Sequence, residues 1–300
     1  MVNLSSGMDI KAHGHTYRIL ERGVFGEQGR SATQTSRATR VLPDESLFGK
    51  FILKISTKSD TDTVAIQLRN AHPEIPHETL AAFECDEAVH GEPYVARFLP
   101  GKSLKSVIAE ERLITAPSNV VIPLAWQIAM KVMRTLAPLR TAGLIHGDVK
   151  DGNLIVQSHE IGLIDNEMLT NAEEVTQEPM DHIVGTPIIL APEAIRSRHA
   201  VSPSTDDYAA ACTIWAMMGE KLAGYDVQET LNERTNGKFR KRLKEKLGER
   251  RKKTEPELAL VMHRLYGWLD RTLEQNPKDR PQTTEEHFEL LFDTPNLVEL

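Results

Sequence analysis

The fold of this chain is decided by the stretch LIHGDVKDGNLIV at residues 144–156 and by IGLID at residues 161–165. Two short apolar runs, 154–156 and 161–164, flank the polar residues 157–160, and this pattern predicts a β-hairpin with a four-residue loop. The outer ends of an antiparallel hairpin lie together. We therefore expect Asn153, just before the first strand, to lie beside Asp165, just after the second.

The polar side chains around this hairpin have complementary chemistry. Asp148 and Lys150 are two residues apart, and residues at this spacing point the same way in an extended segment. Asn153 and Asp165 offer an amide oxygen and a carboxylate, which are hard ligands suited to Mg²⁺. A candidate base, a cation and two metal ligands in one small volume predict phosphoryl transfer.

The composition is typical of a soluble globular protein, because 40% of the 300 residues are hydrophobic and 26% are charged. The net charge of −7 argues against general nucleic-acid binding, so we expect no nucleic-acid partner. No apolar run approaches the roughly 20 residues that span a bilayer, so we expect no membrane partner. Cys85 and Cys212 stand in apolar surroundings, which predicts buried free thiols. We expect a cytoplasmic protein; a secreted effector that acts in a host cytosol would have the same composition.

The chain changes character near residue 99, which predicts two domains. Residues 1–15 are polar and are expected to form a lead-in, residues 16–98 are rich in short strands, and helices dominate residues 99–300. Within the strand-rich part, Lys54 lies in an apolar strand. It is either a strand-edge lysine whose amine reaches water or a buried cation that awaits a polyanion.

Apolar periodicity predicts the main helices. The first spans residues 60–71, with Val64, Leu68 and Ala71 on its apolar face. A longer helix spans residues 122–142, and Pro138 is expected to kink or shorten it. A third, at residues 206–218, is apolar nearly all round and is expected to be a buried central helix.

Residues 234–253 form a strongly basic segment. Phe239, Leu243 and Leu247 recur in it at helical spacing, which predicts one buried stripe and a basic face. That face is either solvated without a ligand or a docking site for an acidic partner over residues 238–253.

With its motifs in this order, the chain resembles the eukaryotic-type (Hanks-type) protein serine/threonine kinases, which are frequent in bacteria as well, over residues 17–292. The matching motifs are HGDVKDGN at residues 146–153 for the catalytic loop, Asp165 for the metal-binding aspartate, GTP at 185–187 with APE at 191–193 for the end of the activation segment, and NPKDRP at 276–281. The resemblance implies an α+β fold of two lobes. The small N-terminal lobe, residues 16–98, would be an antiparallel sheet with one helix, and the larger lobe, residues 99–300, would be mostly helical.

The resemblance also implies ATP as the phosphate donor, a protein serine or threonine hydroxyl as the acceptor, and Mg²⁺ as the metal, with Mn²⁺ as an alternative. Asp148 would accept or orient the proton of the hydroxyl. Lys150 would neutralise the γ-phosphate, and its place two residues after the aspartate resembles the serine/threonine class. Asn153 and Asp165 would hold the metal.

Further residues would bind the nucleotide, if the resemblance holds. Lys54 would contact the α- and β-phosphates, while Gly23 and Gly26 would cover the phosphates. Backbone groups of Arg97 and Leu99 would meet the adenine.

Other residues would support the site. Thr186 would hydrogen-bond Asp148 and Lys150, and Asp206 would anchor the catalytic loop from below. His146 would be part of the core, and Glu193 would form a buried ion pair with Arg280.

The chain departs from the family pattern in its nucleotide-binding part. Glu21 stands where the first glycine of the phosphate loop is expected, and Thr63, with Asp60 and Asp62 nearby, stands where the glutamate partner of the lysine is expected. Asp165 is followed by Asn166 and Glu167 rather than by phenylalanine and glycine, the residues that make this loop a flipping switch.

Gly147 is a departure with a regulatory consequence, because it replaces the arginine that binds an activation-loop phosphate in many relatives. Residues 181–182, which precede the GTP motif region, are Asp and His rather than Ser or Thr. We therefore predict that activity does not depend on phosphorylation of that loop.

Two other functions compete with this interpretation. A pseudokinase or scaffold that binds a partner would fit the altered residues Glu21, Thr63 and Asn166. A small-molecule phosphotransferase of the aminoglycoside or choline type would share the HGD opening and the IDNE ending at residues 164–167, but such enzymes generally lack the peptide-docking segments found here.

Overall fold

The computed structural model describes residues 6–23, 35–55, 59–89, 93–173, 186–196, 201–220, 227–252 and 258–292. It divides into two compact units, of which the first contains residues 1–100 and 162–169 and the second contains residues 101–161 and 170–300. The division between residues 100 and 101 lies two residues from the predicted boundary. The assignment of 162–169 to the first unit was not foreseen, because it depends on contacts between segments that are distant in sequence.

The first unit contains a five-stranded antiparallel sheet in the order β1-β2-β3-β4-β5. Its strands are β1 (Asp9–Ala12), β2 (His15–Gly23), β3 (Thr35–Val41), β4 (Leu47–Ile55) and β5 (Pro93–Arg97). Alternating side chains of these strands bury one apolar face, as expected for a sheet with one solvated side. The central members of that core are Tyr17, Ile19, Ala38, Phe51, Leu53 and Val95.

Strand β1 differs from the lead-in predicted for residues 1–15. Ile10 and Ala12 point into the core of the sheet, and Asp9 forms an exposed ion pair with Arg18 on the neighbouring strand at 2.8 Å. A strand this short contributes only two inward side chains, so its alternation is too brief to stand out in a polar sequence.

Helix α1 (Ser59–Ala71) confirms the first predicted helix but buries a different face. Its buried residues are Asp62, Ala65, Ile66 and Arg69, whereas Val64 is 47% exposed. The predicted buried face was wrong because two of the four inward residues, Asp62 and Arg69, are charged. The guanidinium of Arg69 donates to the backbone carbonyls of His72, Ile75 and Leu80, which satisfies it inside the unit.

The second unit is mostly helical, so the predicted α+β class, with a strand-rich first part and a helical second part, is confirmed. Its helices are α2 (Leu104–Glu110), α3 (Ser118–Thr141), α4 (Pro192–Arg196), α5 (Pro203–Met217), α6 (Val227–Thr235), α7 (Lys238–Lys252), α8 (Ala259–Thr272) and α9 (Thr284–Phe292). Helix α5 is buried along nearly its whole length, as predicted, and packs against α3 and α8.

Short strands frame the catalytic loop. They are β6 (Lys102–Ser103), which pairs with β8 (Leu154–Val156), and β7 (Leu144–Ile145), which pairs with β10 (Thr170–Asn171). Strand β9 (Ile161–Leu163) follows β8 after a turn in which the Gln157 N–H donates to the Glu160 carbonyl at 3.0 Å. The two strands of the predicted hairpin are therefore confirmed.

Helix α3 corrects the expectation that no apolar stretch would be long enough to span a membrane. By length and composition alone, this 24-residue helix would be able to cross a bilayer. Half of its most apolar window is buried, it packs against α5, α8 and α9, and the Trp126 Nε1–H donates to the Leu291 carbonyl at 2.9 Å. These contacts are those of a core helix, and the helix continues past Pro138 to Thr141.

Candidate active site

The catalytic loop follows β7 and is fixed by a carboxylate of α5. Asp206 accepts the backbone N–H groups of His146 at 2.7 Å and of Gly147 at 3.0 Å, and His146 is fully buried. The predicted anchor and core roles are thus confirmed. Burial raises the pKa of Asp206 to about 7, although the hydrogen bonds from His146 and Gly147 act in the opposite direction.

Asp148 is held by three side chains of the second unit. Its Oδ1 accepts the Thr186 hydroxyl at 2.7 Å, and its Oδ2 accepts the Lys150 Nζ at 2.7 Å and the Asn153 Nδ2 at 3.0 Å. Lys150 also donates to the Thr186 hydroxyl at 3.2 Å, so both hydrogen bonds predicted for Thr186 are formed. The carboxylate of Asp148 is therefore kept in one orientation by donors on both of its oxygens.

The hydrogen bonds of Asn153 suit a metal ligand. Its Nδ2 donates to the backbone carbonyl of Asp148 at 2.9 Å as well as to the Asp148 carboxylate. The amide oxygen is therefore the atom left to coordinate a hard cation. Asp165, the second predicted ligand, belongs to the first unit, so its predicted place beside Asn153 stays a prediction.

The first unit brings Lys54 together with two carboxylates. Lys54 forms an ion pair with Asp165 and a second one with Glu167, in which Nζ lies 2.7 Å from Oε1. The Tyr94 hydroxyl donates to the same Oε1 at 2.5 Å. Burial alone would lower the pKa of Lys54, but the charges of Asp165 and Glu167 outweigh it, and the pKa is raised. Lys54 is therefore a mostly buried cation with two anionic partners rather than a strand-edge lysine whose amine reaches water, and its contact with a polyanion stays a prediction.

The segment after Asp165 is fixed within the first unit. Asp165 has φ of 69°, in the left-handed region that few side chains adopt. Asn166 is buried and its Nδ2 donates to the Ala81 carbonyl at 2.6 Å. Leu163 donates its N–H to the Thr79 carbonyl at 2.7 Å. The side chain of Asn166 thus ties the turn after Asp165 to Ala81 by a directed hydrogen bond.

Glu167 and Tyr94 are the site residues that sequence reasoning missed. Thr63, which occupies the position of the expected glutamate, is committed elsewhere, because its hydroxyl accepts the Ala88 N–H at 2.9 Å. The signal for Glu167 was its unexpected charge two residues after Asp165. Its contact with Lys54 depends on the fold and is not visible in the order of residues.

The nucleotide-binding prediction is covered only in part by the described residues. Gly23 ends β2, whereas Gly26 lies outside the described residues. The backbone N–H of Arg97 donates to the Ala82 carbonyl at 2.8 Å, so the backbone carbonyl of Arg97 is the group that would meet adenine. Leu99 is buried. Glu21 lies 3.4 Å from Arg37, which compensates the unexpected negative charge.

Comparison with known proteins agrees with this geometry. The protein kinase domain family matches residues 49–289. The chain belongs to the protein kinase family. It is 30% identical over 98 residues to the dual serine/threonine and tyrosine protein kinase of Strongylocentrotus purpuratus, which covers 33% of this chain and 10% of that protein. It is 31% identical over 98 residues to the serine/threonine-protein kinase NLK2 of Xenopus laevis, with 31% of this chain and 21% of the relative covered.

The predicted ion pair of this protein kinase is formed in the second unit. Arg280 Nη1 and Nη2 lie 2.6 and 2.7 Å from the two carboxylate oxygens of Glu193, and both side chains are almost fully buried. Arg280 also donates to the Ser204 carbonyl at 3.2 Å, which joins α4 to the start of α5.

The basic segment of the kinase is partly committed to internal contacts. Phe239, Leu243 and Leu247 form the predicted buried stripe of α7. Arg240 forms ion pairs with Asp270 and Glu274. Arg240, and Arg234 at the start of the segment, are buried, and this corrects the expectation that the cations of residues 234–253 form one solvated basic face.

Proposed function

We propose that this kinase transfers the γ-phosphate of ATP to a serine or threonine hydroxyl of a protein. The observation that carries the proposal is the arrangement around Asp148, whose carboxylate is oriented by Thr186, Lys150 and Asn153. A fixed carboxylate beside a lysine is suited to a hydroxyl nucleophile that loses a proton as it attacks.

In the proposed reaction the acceptor oxygen forms a bond to the γ-phosphorus while the bond from the γ-phosphorus to the β,γ-bridging oxygen breaks. Asp148 takes the hydroxyl proton, and ADP carries away the electron pair of the broken bond. Lys150, held between Asp148 and Thr186, places a positive charge where the transferred phosphoryl group carries negative charge.

The remaining residues bind and orient the donor. Bound Mg²⁺ supplies charge neutralisation at the phosphates, and Asn153 and Asp165 would hold it, with Mn²⁺ as an alternative. Lys54 would contact the α- and β-phosphates, Gly23 and Gly26 would cover them, and backbone groups of Arg97 and Leu99 would bind adenine.

Two features support the finer parts of the proposal. Lys150 favours serine and threonine over tyrosine, in line with the name of the relative from Xenopus laevis. Gly147 carries no side chain that could bind an activation-loop phosphate, which favours activity without that modification.

The test is a radiolabelled-ATP assay with a generic basic protein as substrate, followed by identification of the modified amino acid. Wild type should label serine or threonine, and Asp148→Asn should lower the rate at least about 100-fold. Asp148→Asn should keep the thermal stabilisation by nucleotide, because Asp148 is not expected to hold the nucleotide.

Other outcomes would identify the competing functions. A wild-type protein that binds nucleotide but transfers no phosphate with either metal would be a pseudokinase or scaffold. Transfer to a small alcohol but not to protein would indicate a small-molecule phosphotransferase.

We also propose a location and a partner. The buried free thiols Cys85 and Cys212 support a reducing compartment, so we propose the cytoplasm, with a host cytosol as the alternative. On α7, the exposed residues Lys238 and Lys241 support an acidic partner at residues 238–253. The test is whether an acidic protein binds the kinase. Binding that weakens with salt and is lost when the charges of Lys238 and Lys241 are reversed would support the proposal.

A further inference from the structure

The lysine that would contact the phosphates has an anionic partner in an unusual place. Lys54 Nζ lies 2.7 Å from Glu167 Oε1, and the side chains are 17% and 29% exposed. Tyr94, which is 1% exposed, donates its hydroxyl to the same oxygen at 2.5 Å. Glu167 is thus fixed from one side by a buried hydroxyl while it contacts the lysine on the other.

The helix that was expected to supply this partner has its own contacts. The Thr63 hydroxyl accepts the Ala88 N–H at 2.9 Å and donates to the Ala88 carbonyl at 3.2 Å. Helix α1 packs directly against residues 166–168, the turn that carries Glu167. The carboxylate that pairs with Lys54 is therefore that of Glu167, in the turn against which the helix packs, and not one on the helix itself.

The two carboxylates that contact Lys54 differ in their other proposed contacts. Asp165 is the proposed metal ligand, and a divalent cation competes with Lys54 for its oxygens. Glu167 is held by Tyr94 and is two residues further along the chain, so it can stay on Lys54 when Asp165 turns to the metal. A largely buried ammonium without an anion would carry a high desolvation cost.

We propose that Glu167, fixed by Tyr94, is the positioning residue that holds Lys54 against the α- and β-phosphates, in place of the missing helix glutamate. This inference rests on the proposed function for the identity of the nucleotide. Glu167 acts through Lys54 and does not itself contact the phosphates.

The experiment compares Glu167→Gln with wild type by two measurements. The first is the dissociation constant of ATP in EDTA, which requires Lys54 but no metal and no turnover. The second is the Michaelis constant for ATP and the half-activating Mg²⁺ concentration in the transfer assay. Glu167→Gln keeps the size of the side chain and an oxygen for the Tyr94 hydroxyl, and removes only the charge.

We expect Glu167→Gln to raise both the metal-free dissociation constant and the Michaelis constant for ATP about tenfold. The half-activating Mg²⁺ concentration at saturating ATP should stay within about twofold of wild type. Tyr94→Phe, which removes only the hydroxyl, should raise the metal-free dissociation constant for ATP about threefold. It is the alternative test variant if Glu167→Gln does not fold. Asp9→Asn, at an exposed ion pair of the same unit, is the charge control and should change neither constant.

Three results would overturn the inference. An increased Mg²⁺ requirement with unchanged metal-free ATP binding would make Glu167 a metal ligand. A rise in the ATP dissociation constant that follows Asp62→Asn, and not Glu167→Gln, would return the role to the helix. Unchanged ATP constants in both Glu167→Gln and Tyr94→Phe would show that Lys54 is positioned by other groups.

The inference and the proposed function fail in different ways. A wild-type protein that binds ATP but transfers no phosphate would end the proposed function, while the metal-free ATP affinities would still decide the role of Glu167. A wild-type protein that binds no ATP would end both.

Discussion

The backbone N–H of Gly147 donates to the Asp206 carboxylate at 3.0 Å, and Gly147 makes this bond with φ of 80°. Glycine adopts such a conformation freely, whereas a side chain at this position is strained. The sequence suggested one consequence of Gly147, the loss of an arginine that could bind a phosphate. The structure adds a second one, which is an unstrained backbone where the catalytic loop meets its anchor.

Gly147→Ala should lower the free energy of unfolding by about 1–2 kcal/mol, because the left-handed conformation disfavours a Cβ atom by this amount. Gly147→Asn should cost less, since asparagine tolerates this region better than alanine. Urea unfolding at unchanged m-value measures both. Equal stability of the wild type and the alanine variant would contradict the role of the backbone.

The stability contributed by Asp206 should depend on pH between its unfolded and folded pKa values. Burial raises the folded pKa to about 7, and Asp207 adds to this, while the hydrogen bonds from His146 and Gly147 and the charge of Arg140 lower it. In the unfolded chain an aspartate titrates near about pH 4. Within this window the folded state binds the extra proton, so the contribution of Asp206 falls as pH rises and is lost above about pH 7.

The measurement is the difference in unfolding free energy between wild type and Asp206→Asn from pH 4.5 to 8. This difference should become less favourable to wild type as pH rises. Asp9→Asn is the control, because its hydrogen bond from Arg18 lowers the pKa of Asp9 and its titration falls below this window. A difference that grows with pH would show that the folded state favours the Asp206 carboxylate.

The buried pair of Glu193 and Arg280 should be costly to break on one side. Arg280→Met leaves an uncompensated carboxylate in the interior and should lower the unfolding free energy by about 3–5 kcal/mol. The double variant Glu193→Gln, Arg280→Met should lose less than the sum of the two single variants. Arg18→Met, which breaks the exposed pair with Asp9, is the matched control and should cost at most about 1 kcal/mol.

Activity should not require phosphate on the activation segment. Thr170 lies in β10, and Thr176 lies outside the described residues. Protein shown by mass spectrometry to lack phosphate at both positions should be fully active, and Thr170→Ala and Thr176→Ala should stay within about twofold of wild type. A protein that is inactive until either threonine is modified would refute this prediction.

Local patterns were sufficient for much of the fold and for the catalytic loop. Apolar runs and their periodicity predicted the strands around residues 154–163 and the helices α3 and α5, because buried segments leave an apolar trace in the sequence. The existence of α1 was predicted as well, although its buried face was not. The resemblance to the kinase family implied the contacts of Asp206 and of Glu193 with Arg280. These contacts join motifs whose order in the chain is itself informative.

The features that were missed depend on tertiary contacts made by charged residues. Asp62 and Arg69 face inward on α1, although charged side chains are rarely buried unless partners satisfy them. Glu167, the partner of Lys54, is 113 residues away along the chain, in a turn whose residues differ from the family pattern. Nothing in local composition distinguishes such a residue from a solvated one.

Arg234 is the clearest case, because it looked like one cation among many in the basic segment. Its guanidinium donates to the Tyr208 hydroxyl at 2.9 Å and to the Ile188 carbonyl at 2.8 Å, and lies 3.4 Å from the centre of the Phe239 ring. Ile188 is two residues from Thr186, which holds Asp148. Arg234 therefore ties the segment that contains Thr186 and Ile188 to the helices of the second unit.

Arg234→Met should lower the unfolding free energy by about 2–4 kcal/mol, because it leaves buried acceptors without their donor. It should also raise the Michaelis constant for the protein substrate while that for ATP stays unchanged, since the loosened segment lies in the second unit and the lysine that would contact ATP lies in the first. Arg234→Lys should recover little, because an ammonium cannot reproduce the planar set of contacts. Lys241→Met, an exposed cation on α7, is the control and should stay within about 0.5 kcal/mol of wild type. An Arg234→Met variant as stable as this control would show that the guanidinium is not an anchor.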